Sequence, residues 1–492
     1  MANNMKYLQM KVLMVLMSLL MTTMSKAQVS TSDAPKQTVP VEEQIWASTD
    51  KAEISNNELL KGYVQQRFDE MLPSYKKNLR RSAAEYLSGN DLKAYNYLKG
   101  VIQNIARGKT ATGEEPAADE PISTIITIPL TELTSDVGPW TAEDLGVDAI
   151  IVNGALNPAA KDAVSEKVSF DFRKVIGALL VDCPYELYWY DKTRGCSYRP
   201  YNSYTYNTNR FTAIGDATFT MNVAQEYAVK EGNVYYPTQF NADKVASVDV
   251  AIENAKSIVE GCSGSTLSRL VSYKDKICKM TSYNNTAANN SSYPYGDPWQ
   301  LVWVFDGDES TKVVCEGYSK AFKYLCDLSE FQDAECLIAT GYMNGGTGAG
   351  NHMWNIMKMD DGRSYLIDVT NCDEGTIGAP DLLFMAYGPS GDYSQGYTFP
   401  VGRWGITYTY DDDTKATFSA RELTISETRH FPNIVGDVNG DGNVTIGDIV
   451  AVVNIIAGST GNYNLNAADA NNDGTISVGD IVAIVNIMSG NN

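Results

Sequence analysis

Residues 351–371 read NHMWNIMKMDDGRSYLIDVTN, two apolar-rich runs on either side of an acidic pair and a glycine. Alternation sets His352, Trp354 and Ile356 on one side of a first strand. SYLIDVTN forms the next strand and carries Asp368 as a lone acid between Ile367 and Val369. Asp360, Asp361 and Gly362 are turn residues, and the length of that turn decides which face Asp368 occupies. A three-residue loop at 360–362 sets Met359 opposite Arg363, and therefore Trp354 opposite Asp368 and His352 opposite Thr370. His352 and Asp368 are then diagonal neighbours on one face, and Asn355 points away. A two-residue loop at 361–362 turns Asp368 to the other face. The longer turn, with Gly362 at positive φ, is what an acid needs if it is to bond the far imidazole nitrogen and fix its tautomer.

Upstream, residues 313–325 read VVCEGYSKAFKYL. Tyr318, Phe322 and Leu325 recur at helical spacing, which puts Cys315 at or just before a helix N-terminus. There the backbone amides and the helix dipole favour the thiolate, the nucleophilic form. The chain has two histidines, and His352 supplies the base that a thiolate–imidazolium pair needs near neutral pH. The plain alternatives are a buried structural cysteine and a satisfied structural acid. His430 reads as a solvated residue, and GTGAG (346–350) as a flexible loop, since no phosphate-binding lysine follows it.

A chain of 492 residues exceeds what one core serves, so two or three domains are expected. The net charge of -21 excludes a nucleic-acid partner, which would require clustered Lys and Arg, and suits calcium ligation and extracellular solubility. Residues 1–27 place Lys6 and Lys11 before a short apolar run and end on Ser25, Lys26 and Ala27. This is the pattern of a cleaved bacterial export signal, and no later stretch is long enough to span a membrane. Residues 28–122 read as a helical N-terminal region (Leu59, Tyr63, Phe68, Met71, Leu72, Leu79, Tyr86, Leu87) closed by a polar linker at 108–122. Apolar runs at 125–130 and 211–221 alternate with helical stretches at 242–260 and 267–281, which makes 123–413 an α+β domain. Residues 414–435 form a linker and 436–492 a small all-α module. Among eight cysteines, Cys183 with Cys196 and Cys262 with Cys278 are local candidates for pairing, against the alternative that most are reduced and buried. The tyrosine-rich stretch 185–206 reads as an aromatic sheet surface rather than a sugar-stacking one.

The C-terminal module is a duplication: DVNGDGNVTIGDIVAVVNII from Asp437 and DANNDGTISVGDIVAIVNIM from Asp469. Each copy places oxygen-bearing side chains at loop positions 1, 3, 5, 9 and 12 and glycine at position 6, where a calcium loop turns sharply. The first loop uses Asp437, Asn439, Asp441, Thr445 and Asp448 with the carbonyl of Asn443; the second uses Asp469, Asn471, Asp473, Ser477 and Asp480 with the carbonyl of Thr475. Two Ca2+ ions are expected, each loop being followed by one apolar helix, at 449–456 and 481–488. One helix per loop, and Asp in place of Glu at position 12, make the module resemble a type I dockerin. The resemblance implies docking to a cohesin on a scaffold or cell-surface protein, usually of a system that degrades polysaccharide. The positions that the family uses to read its partner hold Ile446 and Gly447, then Val478 and Gly479, without the hydroxyl pair of well-known members.

VCEGYSKAF, NHMWNIM and YLIDVTNCDEG resemble the Cys, His and Asp blocks of transglutaminase-like proteins, and the stretch at 273–284 resembles the helix that precedes their nucleophile. The resemblance covers roughly 166–413 and implies a papain-like α+β core in which Cys315 attacks a carboxamide carbonyl, His352 shuttles the proton and Asp368 orients His352, with no cofactor for catalysis. The backbone amide of Cys315 and a side chain from DPWQLVWVF, Trp299 or Gln300, are the implied oxyanion donors; an apolar β run is the plain reading of that stretch. The expected function is hydrolysis of a peptide or side-chain amide in a protein substrate through a thioester. Transfer to an amine, which would make the protein a cross-linking enzyme, uses the same triad. A non-catalytic binding module is the rival from another class, and no carboxylate pair recommends glycosidase chemistry.

Overall fold

The computed structural model describes residues 38–47, 83–345, 348–401, 404–432 and 434–490. The expected leader at 1–27 and most of the expected helical region, including Leu59, Tyr63, Phe68, Met71, Leu72 and Leu79, lie outside the described residues. The chain weaves between two units. The first comprises Met1–Glu42, Thr134–Ser169 and Pro200–Asp216; the second comprises Glu43–Leu133, Phe170–Arg199 and Ala217–Asn492. The first unit holds a three-stranded sheet of Val39–Pro40, Ser203–Tyr206 and Phe211–Ile214 and a helix at Pro158–Val168. Asn157 caps that helix by accepting from Ala159 N, and Pro158 begins it.

In the second unit, helix α1 (Gly89–Ala106) buries Tyr95, Leu98, Ile102 and Ile105, and α2 (Phe172–Asp182) is capped by Asp171. A four-stranded antiparallel sheet runs in the order Gln44–Trp46, Cys196–Arg199, Ala217–Met221, Ile125–Ile128. The tyrosine-rich stretch is core: Tyr185, Tyr188, Tyr190, Tyr198 and Tyr201 are all buried, so the expected aromatic surface is mostly interior. Helices α3 (Val248–Glu260) and α4 (Thr266–Met280) occupy the stretches read as helical, α4 being capped by Ser265.

Helix α5 (Cys315–Ser329) packs on a six-stranded antiparallel sheet. Its strands are β1 (Glu335–Gly345), β2 (Gly348–Lys358), β3 (Ser364–Ile367), β4 (Ser390–Asp392), β5 (Gly396–Val401) and β6 (Trp404–Tyr410), in the order β3-β2-β1-β6-β5-β4. Trp354, Ile356, Leu366, Phe399, Ile406, Tyr408 and Tyr410 make its apolar core. Of GTGAG, residues 348–350 open β2, Gly348 pairing with Gly345 of β1, and residues 346–347 lie outside the described residues. Residues 414–435, read as a linker, hold the short helices Asp412–Thr417 and Ala420–Leu423 and then lie along β3, with Ile425 bridged to Ser364.

The C-terminal helices α6 (Ile446–Ile456) and α7 (Val478–Met488) begin three residues earlier than the apolar periodicity suggests. In each, a capping box starts the helix at loop position 10. Thr445 and Asp448 form it in α6, and Ser477 and Asp480 in α7. Val438, Ala451, Val452, Ala468 and Ile484 are the core of this module.

Candidate functional site

The hairpin has the longer turn. Met359 N donates to Arg363 O at 3.0 Å, Lys358 pairs with Ser364 and Asn355 with Ile367, and Gly362 sits at φ +70°. The strand ends at Ile367, one residue short of Asp368, which caps the short helix Val369–Cys372 by accepting from Asn371 N. The register nevertheless carries through: His352 Nε2 lies 2.8 Å from Asp368 Oδ2. Asn355 takes no part, its amide donating to Ser319 O and Leu337 O.

Cys315 opens α5. Val314 stands at the N-cap and offers no side-chain acceptor, so the first-turn amides are left uncapped by side chains beside the thiol. Three bonds fix this helix against its surroundings: Ser319 Oγ donates to Met353 O at 2.9 Å, Asn355 Nδ2 to Ser319 O at 3.1 Å, and Val314 N to Pro298 O at 2.7 Å. Met353 adjoins His352, so these bonds set the helix start beside the imidazole, and Cys315 is near enough to raise its basicity. With Nε2 on Asp368, Nδ1 is the nitrogen left for the sulfur.

Burial disfavours the imidazolium, but the charge of Asp368, then that of Cys315, outweighs it and raises His352 from 6.5 to about 10. Burial likewise works against ionised Asp368, yet His352, Tyr408 and Asn371 hold its carboxyl below the ordinary value. Asp368 Oδ2 accepts from Tyr408 Oη at 2.6 Å and Asn371 Nδ2 at 2.7 Å. Neither partner was read from the sequence. Asn371, three residues on, fits an Asx turn and was open to detection, whereas Tyr408 reaches Asp368 only through the sheet order.

The stretch DPWQLVWVF is not a β run. It forms two 3-10 turns, Asp297–Trp299 and Leu301–Val304. Gln300 Nε2 donates to Tyr295 Oη at 3.0 Å, and Tyr295 donates to Glu316 at 3.2 Å. Glu316 is fully buried and also meets Lys192 at 3.0 Å and Lys320 at 2.5 Å. Gln300 thus serves the network of the residue after Cys315. Trp299 packs with Tyr293, Tyr295 and Val314. Tyr283 lies near both Cys315 and Asp368: burial first, then the charges of those two residues, push its hydroxyl upward. Tyr283 pairs with Val313, two residues before Cys315, a parallel pairing of two-residue strands that leaves no sequence signal.

All eight cysteines are free thiols, so neither Cys183 with Cys196 nor Cys262 with Cys278 is bridged. Burial, then the neighbouring Cys336, pushes the Cys326 thiol upward. His430 is not solvated. Its side chain is 3% exposed and Nε2 lies 2.8 Å from Asp360 Oδ1.

The two C-terminal loops share one pattern of backbone amides donating to their first and last carboxylates. Asp437 accepts from Asp441 N and Gly442 N as Asp469 does from Asp473 N and Gly474 N; Asp448 accepts from Asn439 N and Thr445 N as Asp480 does from Asn471 N and Ser477 N. Gly442 and Gly474 take φ of +86° and +83° at position 6. Burial, then crowding by Asp448 and Asp441, pushes Asp437 up to about 6. An all-oxygen set of crowded carboxylates fits Ca2+, which Asp437, Asn439, Asp441, Thr445, Asp448 and the Asn443 carbonyl would hold, as Asp469, Asn471, Asp473, Ser477, Asp480 and the Thr475 carbonyl would in the second loop.

The first loop is also held by the rest of its unit. Arg429 donates to Asn439 O at 3.0 Å and Gly440 O at 2.9 Å, and Ser268 Oγ lies 3.3 Å from Gly442 O. Ile446 and Val478, at the recognition positions, are 69% and 67% exposed.

The dockerin type I domain family matches residues 435–489. A search of curated proteins finds no match to this chain. No helix among the described residues is long and apolar enough to cross a membrane. The C-terminal module is a type I dockerin, which implies calcium binding, a cohesin-bearing partner and membership of a tethered complex, typically outside the cell or at its surface.

Proposed function

We propose that this chain is an exported cysteine-nucleophile enzyme that cleaves peptide or side-chain amides through a thioester on Cys315 and is tethered through its dockerin. One arrangement carries the reading: a thiol at a helix start, close enough to an imidazole to raise its basicity, with Nε2 of that imidazole held by a buried carboxylate. The raised basicity of His352 keeps it cationic beside the sulfur at neutral pH. Attack of the sulfur on the carbonyl carbon forms a tetrahedral oxyanion; its collapse expels the amine, which takes the His352 proton, and water then hydrolyses the thioester. The oxyanion donors in this reading are the backbone amide of Cys315 and the hydroxyl of Tyr283, which the charge of Cys315 reaches. This is the chemistry of the transglutaminase-like proteins that the Cys, His and Asp blocks resemble.

The test is incubation of the full chain with a protein substrate and a primary amine, read by mass spectrometry beside Cys315→Ala. Cleavage or deamidation supports hydrolysis, and amine incorporation moves the assignment to transfer. Wild type matching the variant overturns the enzyme reading and leaves a binding module. On the dockerin, the exposed Ile446 and Val478 make the recognition surface apolar, which favours a cohesin whose face is apolar rather than hydroxyl-matching.

A further inference from the structure

We propose that Glu316, gripped by Lys192, Lys320 and Tyr295, is a positioning residue that sets the rotation of the first turn of α5 and with it the direction in which Cys315 presents its sulfur. The inference rests on Cys315 being the nucleophile. Glu316 is fully buried, and three donors converge on one of its oxygens. Lys192 Nζ stands 3.0 Å from Oε1, Tyr295 Oη 3.2 Å and Lys320 Nζ 2.5 Å, while the buried Oε2 takes no hydrogen bond. The donors come from three places in the fold. Lys320 is one turn along the same helix. Lys192 belongs to a turn folded by Asp191, whose Oδ1 accepts from Thr193 N at 2.9 Å. Tyr295 lies just before Pro298, whose O accepts from Val314 N at 2.7 Å. Cys315 therefore sits between two tethered neighbours, Val314 held by its amide and Glu316 by its carboxylate.

Stability does not account for the cluster. Desolvating a carboxylate and an ammonium offsets most of their attraction, and apolar residues of the same volume commonly serve a core as well. What a buried carboxylate held on one oxygen supplies is direction. Burial first, then the charge of Glu316, push the Tyr295 hydroxyl well above its ordinary value, so it remains a donor. Lys192 Nζ lies 5.2 Å over the Tyr295 ring, which ties two of the donors to each other. Cys315 and Glu316 are adjacent in one helical turn, so a twist that frees the carboxylate also swings the sulfur. A displacement of about 1 Å at a reacting atom costs on the order of a hundredfold in rate.

The test is the pH dependence of Cys315 alkylation by iodoacetamide, read by peptide mass spectrometry on the full chain as wild type, Glu316→Asp and Tyr295→Phe. Glu316→Asp keeps the charge but falls one methylene short of its donors; Tyr295→Phe removes one donor and leaves both lysines. A wild-type thiolate held against His352 alkylates at a rate that stays level down to about pH 6. In Glu316→Asp the rate at about pH 6 falls roughly tenfold or more while that at about pH 9 stays within about twofold, and Tyr295→Phe shifts the same way by about threefold. A variant that is only less stable keeps the shape of the profile. A wild-type rate that rises only near the ordinary thiol value of about 8.5 overturns the nucleophile reading and this inference with it. A level wild-type profile that both variants retain overturns the inference alone. If Glu316→Asp fails to fold, Tyr295→Phe by itself decides.

Discussion

Asp368 is fully buried and accepts from three side chains, and each donor has a separable effect. Tyr408→Phe removes one charge-assisted bond and costs about 2 kcal/mol by denaturant unfolding, with Asp368 becoming less acidic. Tyr283→Phe lowers kcat on an amide substrate by about a hundredfold with little change in KM, while alkylation of Cys315 by iodoacetamide stays at the wild-type rate. Unchanged kcat would remove Tyr283 from the oxyanion site. The ionisation of the pair sets a pH window. His352 is raised from 6.5 to about 10, so its stabilisation is complete below pH 6.5 and is lost as pH climbs through 10. Asp368 is lowered from 3.8, so its contribution is complete above 3.8 and is lost as pH falls through its lower folded value. Between about pH 6 and pH 9 wild type should therefore lose stability relative to His352→Gln, measured by urea titration at each pH. His352, Asp368 and Cys315 were legible because alternation, turn chemistry and helical spacing are local. Tyr408 and the Lys192 ion pair with Glu316, 124 residues apart, depend on tertiary placement and were not.

Among elements, the β2–β3 hairpin shows how far a register argument reaches. Turn length fixed the pairing of Met359 with Arg363, and from there the face of Asp368, but the strand stopping at Ile367 was hidden because the cap at Asp368 competes with the ladder. The helix α5 is more tightly constrained than its pattern suggests. A Cβ on Gly317 would lie 2.6 Å from Val313 Cβ, so Gly317→Ala overpacks the junction between the helix and the preceding strand. The expected cost is about 1–3 kcal/mol by chemical denaturation, with slower alkylation of Cys315 as the helix start shifts. Wild-type stability in this variant would show that the junction is looser than its geometry indicates. The stretch around Gln300 misled because a run of apolar residues serves a buried 3-10 turn as well as a strand.

Across the whole molecule, the dockerin was the most legible part, since a duplicated ligand spacing survives any tertiary context. The interleaving of two units at 134–169 and 200–216 was invisible, because no composition shift marks the crossings. Calcium should stabilise each loop by about 2.7 kcal/mol at a hundredfold excess over Kd. Hydrogen exchange in α6 and α7 with and without chelator measures this, and equal protection in both states would contradict it. Arg429→Ala should weaken the first calcium site alone, since only that loop's carbonyls are gripped by its guanidinium. Calorimetry resolving two equal sites in the variant would count against it. The backbone entering the dockerin is pinned in succession by Ser426 to Ser364, Thr428 to Arg363, His430 to Asp360 and Arg429 to the first loop. A slack leash lets a tethered catalyst sweep a sphere and enrich itself on whatever lies inside. A pinned arm sweeps nothing, so the spot at which a scaffold seats this chain would dictate, under the proposed function, which bonds the thiol reaches.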